Sequence, residues 1–295
     1  MKKSFQPLML FMEVARQSNF FRVAENLNLP VSTVSRRIKA LESELGVELF
    51  YRSSRRVGLT ESGRQFFERC SNILADIDIA VEEVSQRKNT PKGLVRISLP
   101  GEIYYNYASE AFNSFALHWP EIQLHITLSS KWIDLYAEPY DVDLRVGPLP
   151  DSSLIASKLF TLKPALYASP KVLEKYPNPK RPEDIANMPC ISLFVLGNIW
   201  ALSRDGETVP LRISPRHMAN SDNVACEMAR AGLGVVLQVP ATAQHHVLSG
   251  ELVQILPEWR NRPADLNMVF ASSQMPQRVR LLKEHLIKFF AQLPE

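Results

Sequence analysis

The stretch Ala24-Glu25-Asn26-Leu27-Asn28-Leu29-Pro30-Val31-Ser32-Thr33-Val34-Ser35-Arg36-Arg37-Ile38-Lys39-Ala40-Leu41-Glu42 decides how the first third of the chain folds. Val31, Val34, Ile38, Leu41 and, just beyond it, Leu45 recur at the spacing of one helix face. Opposite them lie Ser32, Thr33, Ser35, Arg36, Arg37 and Lys39. Hydroxyls and guanidiniums are the groups that reach base edges and phosphates in a major groove. Pro30 suits a helix start and Gly46 a left-handed helix stop. Upstream, Phe20, Val23, Ala24 and Leu27 form a shorter periodic segment, and Leu8, Phe11, Met12 and Ala15 an earlier one. Asn28 tolerates the left-handed conformation that a tight turn between helices needs. Two short helices joined in this way make a helix-turn-helix. The competing reading is the solvated basic face of an ordinary helical bundle.

The residues after Gly46 favour the helix-turn-helix. Residues 47–52 are strand-like, residues 53–56 form a basic turn and residues 57–60 return as a second short strand. Such a hairpin places Arg52, Arg55 and Arg56 where a wing lies over phosphates or in a minor groove. Charge is distributed accordingly. Residues 1–90 hold 14 Lys and Arg against 11 Asp and Glu, whereas the rest is balanced at 20 of each. A basic end on a neutral body points to an anionic partner for that end alone.

Ala24-x-x-Leu27 through Glu42, then Leu45-Gly46-x-x-Leu49-Phe50-x-Arg52 and Leu59-Thr60-Glu61-x-Gly63, resemble the winged helix-turn-helix of LysR-type transcriptional regulators. The resemblance implies that residues 31–40 are the recognition helix and 52–56 the wing. One departure is that Pro30-Val31 stands where the family commonly has Ser-Gln. Gln reads adenine and Val does not, so no DNA consensus transfers.

After Thr60, a helix cap followed by Glu61, the residues Phe66, Cys70, Ile73, Ile77, Ala80 and Val84 recur at spacings of four and three. A helix over residues 61–87 would be about 40 Å long, more than a small winged domain covers. The expectation is therefore a seam for a second subunit, with Phe66, Cys70, Ile73, Ile77 and Val84 on it. The resemblance also implies dimerisation here, and often dimers of dimers. Residues 86–93, polar with Pro and Gly, read as a hinge.

The remaining two thirds alternate strands and helices: strands at 95–99, 122–128, 142–146, 162–168, 235–239 and 266–271, with helices at 108–115, 221–231 and 278–290. That pattern reads as an α/β fold with parallel sheets. Residues 141–147, 151–156 and 231–235 resemble LysR-type effector-domain motifs. The resemblance implies a periplasmic-binding-protein-like fold of two subdomains. The expected organisation is a winged helix-turn-helix over 1–60, a linker helix and hinge over 61–91, and an effector domain over 92–295. Subdomain I would take 92–161 and 267–295, and subdomain II 162–266.

Ligands in such folds sit at strand C-termini and helix N-termini. The candidates are Gly101, Glu102, Ser129, Ser130, Arg145 and Gly147 from subdomain I, and Phe194, Asn220, Ser221 and Gln238 from subdomain II. Each has a plain structural alternative: Arg145 pairing with Asp143 or Glu102, Ser221 acting only as a helix cap, Phe194 as core. Glu102 stands near where LysR-type regulators often place a Ser or Thr that holds a carboxylate. An acidic side chain there would satisfy the helix itself and repel an anion. The effector is therefore expected not to be a simple carboxylate docked at this helix, unless Glu102 pairs with Arg145 across the site. Proton sensing by the six histidines, of which His245-His246 is the one close pair, is a further alternative.

No dinucleotide fingerprint, P-loop, HExxH or GxSxG motif occurs, and no metal-ligand spacing is visible. No cofactor is expected. The three cysteines form no CxxC and suggest a reducing compartment. No uncharged run reads as a membrane span. The sequence thus points to a cytoplasmic, non-enzymatic regulator. Its expected partners are an operator in double-stranded DNA, a small-molecule effector, further copies of itself and RNA polymerase. A non-specific architectural DNA-binding protein and a solute-binding or enzymatic protein are the alternatives.

Overall fold

The structure, a computed structural model, describes residues 5–51, 57–85, 91–136, 138–149 and 154–293. The N-terminal head is built from α1 (Phe5–Gln17), α2 (Phe20–Asn26) and α3 (Val31–Leu45). The turn between α2 and α3 needs a left-handed residue and Asn28 supplies it, with φ of 51°. Gly46 ends α3 at φ of 72°. Leu10, Phe11, Val14, Val23, Val34 and Ile38 are buried together in the head core.

Behind the head runs α4 (Glu61–Ser85). Four hydrogen bonds fix the connection that joins α3 to it. The buried carboxylate of Glu42 accepts from the backbone N–H groups of Leu49 (2.8 Å) and Phe50 (3.2 Å). The Thr60 hydroxyl donates to the Glu48 carbonyl (2.6 Å) and accepts from the Gly63 N–H (2.9 Å). Gly63 lies so close to the Leu49 carbonyl that a Cβ there would overlap it. Among the described residues the expected strand pairing is the bridge of Phe50 with Leu59, flanked by backbone bonds from the Tyr51 N–H to the Gly58 carbonyl (2.8 Å) and from the Thr60 N–H to the Leu49 carbonyl (3.0 Å). Arg52, Arg55 and Arg56 lie outside the described residues.

The expected seam on α4 divides in two. Phe66, Phe67 and Cys70 face their own head: the Phe66 ring lies 5.3 Å from Phe11, and Phe67 and Cys70 are buried in the head core. This corrects the assignment of Phe66 and Cys70 to a subunit interface; the first turns of α4 are what the head uses to close its own core. Ile73 and Ile77, at 54% and 42%, are exposed. The Val84 side chain lies outside the described residues.

The body holds two five-stranded sheets. The first uses β1 (Gly93–Leu99), β2 (Ile122–Leu128), β3 (Val142–Val146), β4 (Ile155–Leu162) and β13 (Ala264–Phe270), in the order β2-β1-β3-β13-β4. The second uses β5 (Ala165–Ala168), β6 (Cys190–Leu193), β9 (Pro215–Ala219), β10 (Val235–Gln238) and β11 (Val253–Ile255), in the order β11-β5-β10-β6-β9. A third, antiparallel sheet of β7 (Ile199–Arg204), β8 (Glu207–Arg212) and β12 (Arg260–Asn261) flanks it. The first sheet packs beneath a helix that starts as α5 (Gly101–Ile103), widens to a π turn over Tyr104–Ala108 and continues as α6 (Ser109–His118). The closing helix α10 (Gln277–Phe290) packs on the same core. In the second subdomain, the short α7 (Pro170–Leu173), α8 (Asp222–Arg230) and α9 (Pro240–Leu248) lie against the sheet.

The chain crosses between sheets after Leu162 and returns before Ala264. The run 162–168, read as one strand, is split by Pro164, which cannot continue a ladder. The return comes three residues before the expected 267. Ala264 pairs with Leu162 and Asp265 with Thr161, whose hydroxyl donates to Asp265 Oδ1 at 2.8 Å, a polar pairing that apolar alternation does not reveal. The sheets are also mixed rather than parallel: β13 runs antiparallel to both β3 and β4 because it arrives from the opposite subdomain.

Replacing Glu42 with Leu should speed hydrogen exchange of the Leu49 and Phe50 amides by about 10- to 100-fold, the worth of hydrogen bonds to a charged acceptor. Glu42→Gln, which keeps an acceptor, should have a smaller effect. Unchanged protection in both variants would show that the carboxylate does not hold this hairpin.

Candidate nucleic-acid interface and effector cleft

In α3 the residues Val34, Ile38 and Glu42 face inward. Ser32, Arg36 and Lys39 are exposed along one line, while Thr33, Ser35 and Arg37 are half-buried on its flanks. The six residues assigned to one outer face thus form an exposed ridge of three with three on its sides, as a 3.6-residue repeat requires. Val31 is not part of the apolar stripe: as the first residue of the helix it is exposed beside Ser32.

In the body, the two subdomains meet where α5 and the π turn face α8, β10 and α9. The helix α8 lacks a cap from its own preceding residue, since the Ser221 hydroxyl makes no capping bond. Its first N–H, that of Asp222, instead donates to Glu102 Oε1 at 3.1 Å, so a carboxylate of one subdomain caps a helix of the other. Nearby, Asn106 Nδ2 donates to Thr242 Oγ1 at 2.7 Å, and the Tyr107 hydroxyl accepts from the Ala241 N–H. Gln238 is fully buried and its Nε2 donates to the Asp222 carbonyl at 2.7 Å; its Oε1 has no partner among the described residues.

Charge in the site is predominantly negative. Burial and then the Glu102 charge push the Asp222 carboxyl up to about 6. Burial, followed by Asp222, pushes the Tyr107 hydroxyl up to about 12.

Arg145 does not supply a compensating free charge. It is 3% exposed, and its Nε donates to Asp143 Oδ2 at 2.6 Å. The remaining donors go to the Ser129 carbonyl (2.9 Å), the Lys131 carbonyl and Ser98 Oγ (3.4 Å), and Trp132 stacks on the guanidinium. Its assignment to effector contact is therefore corrected: it is a structural tie, and it pairs with Asp143 rather than Glu102.

Two regions of the chain match family models. Residues 5–64 match "Bacterial regulatory helix-turn-helix protein, lysR family", and residues 88–291 match "LysR substrate binding domain". The chain belongs to the LysR-type transcriptional regulators. It is 32% identical over 286 residues to an HTH-type transcriptional regulator of Xanthomonas campestris pv. campestris, covering 95% of this chain and 83% of that protein. It is 30% identical to the regulator CrgA of Neisseria meningitidis, covering 98% and 97%. Among solved structures, the full-length Vibrio cholerae virulence activator AphB matches with a TM-score of 0.63 and 30% identity over 97% of this chain and 99% of that one. Like other LysR-type regulators, the chain binds DNA through its head and is modulated by an effector through its body.

The other expected cleft residues play several different parts. Gly101 opens α5 next to Glu102. The Ser129 hydroxyl accepts from the Lys131 N–H (3.2 Å), so it braces its own loop, and Ser130 is exposed beside it. Gly147 is in a left-handed conformation at φ of 94° and its N–H donates to the Asp265 carbonyl, which makes it a turn residue. Phe194 is 64% exposed rather than core, and Asn220 is exposed. Sequence reading missed Asp222, Asn106, Tyr107 and Thr242. Asp222 carried a signal, an acidic residue opening a helix after Ser221; the others are recognisable only once the two subdomains face each other. The three thiols are buried and pushed up from their ordinary value by that burial, Cys190 to about 12 and Cys226 to about 11.

The raised Asp222 carboxyl sets a pH dependence. Between about pH 6 and its ordinary value near 4, the folded chain holds a proton there that the unfolded chain releases. The contribution of this group to stability should therefore grow as pH falls through 6, and be lost as pH rises through it. Comparing Tm at pH 7.5 and 5.5, Asp222→Asn should remove part of the gain that the unaltered chain shows on acidification. An equal gain in both would show that Asp222 is ordinary.

Proposed function

We propose that this regulator reads its operator with the ridge of α3, and that the exposure pattern of that helix carries the reading. Ser32, Arg36 and Lys39 meet base edges or the phosphates beside them, and Val31 at the helix start meets a thymine methyl. Thr33, Ser35 and Arg37 on the flanks fix the register on the backbone. Arg52, Arg55 and Arg56 act on phosphates from the wing. The exposed Ile73 and Ile77 of α4 are the surface available to a second subunit. A homodimer or dimer of dimers then sets two recognition helices one turn apart on a pseudo-palindrome.

The body provides the input in this reading. A small effector enters between Gly101, Glu102 and Asn106 on one side and Ser221, Asp222 and Gln238 on the other, and changes the angle between the subdomains. Coupling of this kind is typically about 1–3 kcal/mol. No catalytic step is assigned, because the family comparison and the absence of catalytic motifs both favour regulation over chemistry. The cytoplasm is the compartment such a regulator works in, with RNA polymerase as its further partner. No helix among the described residues is long and apolar enough to cross a membrane.

The test is selection of genomic DNA fragments on the full chain at physiological salt. Recovery of a few fragments sharing a pseudo-palindrome is expected; uniform recovery that tracks salt alone would mean a non-specific DNA-binding protein. On a selected operator, Val31→Gln should move the preference at one position of each half-site from thymine to adenine, by about 1–3 kcal/mol. Arg36→Ala should relax specificity, and an equal loss on all sequences would remove it from base reading. Arg55→Gln should lower the salt slope by about one unit with little change in specificity.

A further inference from the structure

The cleft between the subdomains is lined by two carboxylates, Glu102 and Asp222, with no free guanidinium or ammonium among the residues placed in it above. Three of its N–H donors are used within the chain: that of Asp222 by Glu102, that of Ala241 by Tyr107, and one of the Asn106 amide by Thr242. The guanidinium of Arg145 is buried and spent on Asp143, Ser129 and Lys131. What remains is the carboxylate of Asp222, the second oxygen of Glu102 and the amide oxygen of Gln238. Gln238 is wholly buried, its nitrogen is held on the Asp222 carbonyl, and its oxygen has no partner among the described residues. A buried acceptor without a donor is destabilising, and two carboxylates facing each other repel.

A ligand that relieves both deficits carries positive charge and several N–H groups. We propose that the effector of this regulator is a small cation bearing an ammonium or guanidinium group, seated on Glu102 and Asp222 with one N–H on Gln238 Oε1. The inference deepens the reading of the body as an effector domain and rests on it. Burial and, after it, the neighbouring Glu102 charge raise the Asp222 carboxyl, and a cation seated between the two would lower it again. An anion would meet the opposite, two negative charges and no free cationic side chain among the groups named above.

The experiment titrates the full chain calorimetrically, at pH 7.5, with agmatine and putrescine. Succinate, 1,4-butanediol and magnesium chloride serve as anionic, neutral and metal controls. Agmatine or putrescine should bind, and succinate and butanediol should not. Binding should weaken at least tenfold in Glu102→Gln and in Asp222→Asn; the first keeps an acceptor for the Asp222 N–H, and both are nearly isosteric, so the fold is retained. Binding of succinate in preference to the amines, heat from magnesium alone, no amine binding, or amine binding unaltered in both variants would each overturn the proposal. The genomic selection, run with and without amine, separates the two levels. Specific fragments with none of the expected amine binding would overturn the ligand class alone. Loss of specificity altogether would overturn the regulator reading beneath it.

Discussion

A guanidinium with almost no access to water is tolerated only when its charge and most of its donors are met inside the protein. Arg145 meets that constraint in a way that shapes the rest of the body. It sits on β3, the central strand of the first sheet, and ties Asp143 on its own strand to the carbonyls of Ser129 and Lys131 in the loop after β2. Removing one member of such a buried pair typically costs about 3–5 kcal/mol, because the other is left uncompensated. The loop it holds continues to Tyr136, whose hydroxyl donates to the Ala271 carbonyl (3.1 Å) and whose ring packs against the head cluster containing Phe67 and Cys70. One buried charge therefore fixes both a wall of the effector domain and the surface on which the head rests.

The contact between subdomains works differently. The chain passes between them through two short segments, 162–165 and 261–264, and such connections resist bending little. What holds the faces together is the packing of Val239 on the first-sheet core and a set of single polar contacts, chief among them Glu102 on the N-terminus of α8. Each such polar contact is worth about 0.5–3 kcal/mol, which is the size of the coupling energies that allosteric regulators use. A ligand that competes for Glu102 or Asp222 acts on a balance of that magnitude. By reciprocity, whatever shifts that balance at the head changes ligand affinity by the same factor.

How much of the molecule was legible in the sequence depends on the range of the interactions. Asn28 and Gly46 were readable because a left-handed residue is a local requirement. So was the inward face of α3, because helical periodicity is local too. The β7–β8 hairpin escaped, although Asp205-Gly206, both at positive φ, is a strong turn signal between its strands. The seam on α4 shows a different limit: periodicity identifies an apolar face but not what covers it, and here Phe66 and Cys70 belong to the head while Ile73 and Ile77 remain exposed. For the cleft, the right strand ends were found but not their partners. Whether Arg145 meets Glu102 or Asp143 depends on side-chain direction within β3, and the capping of α8 depends on how two subdomains face each other.

The division of α4 also limits how a signal can travel. Its first turns are built into the head, through Phe67, Cys70 and the Thr60–Gly63 cap, so head and helix start move as one body. The exposed Ile73 and Ile77 lie one to two turns further on. A subunit contact made there is decoupled from the head core but directly continuous with its orientation. Rotation of α4 about its axis would redirect α3 without disturbing any buried contact inside the head. One contact that resists such rotation within one chain is the packing of Tyr136, and Tyr136 lies on the loop that Arg145 grips from the cleft wall. Recognition helix, linker and cleft are thus joined in series by a short run of contacts, so a change in subdomain angle has a physical route to the spacing of two recognition helices.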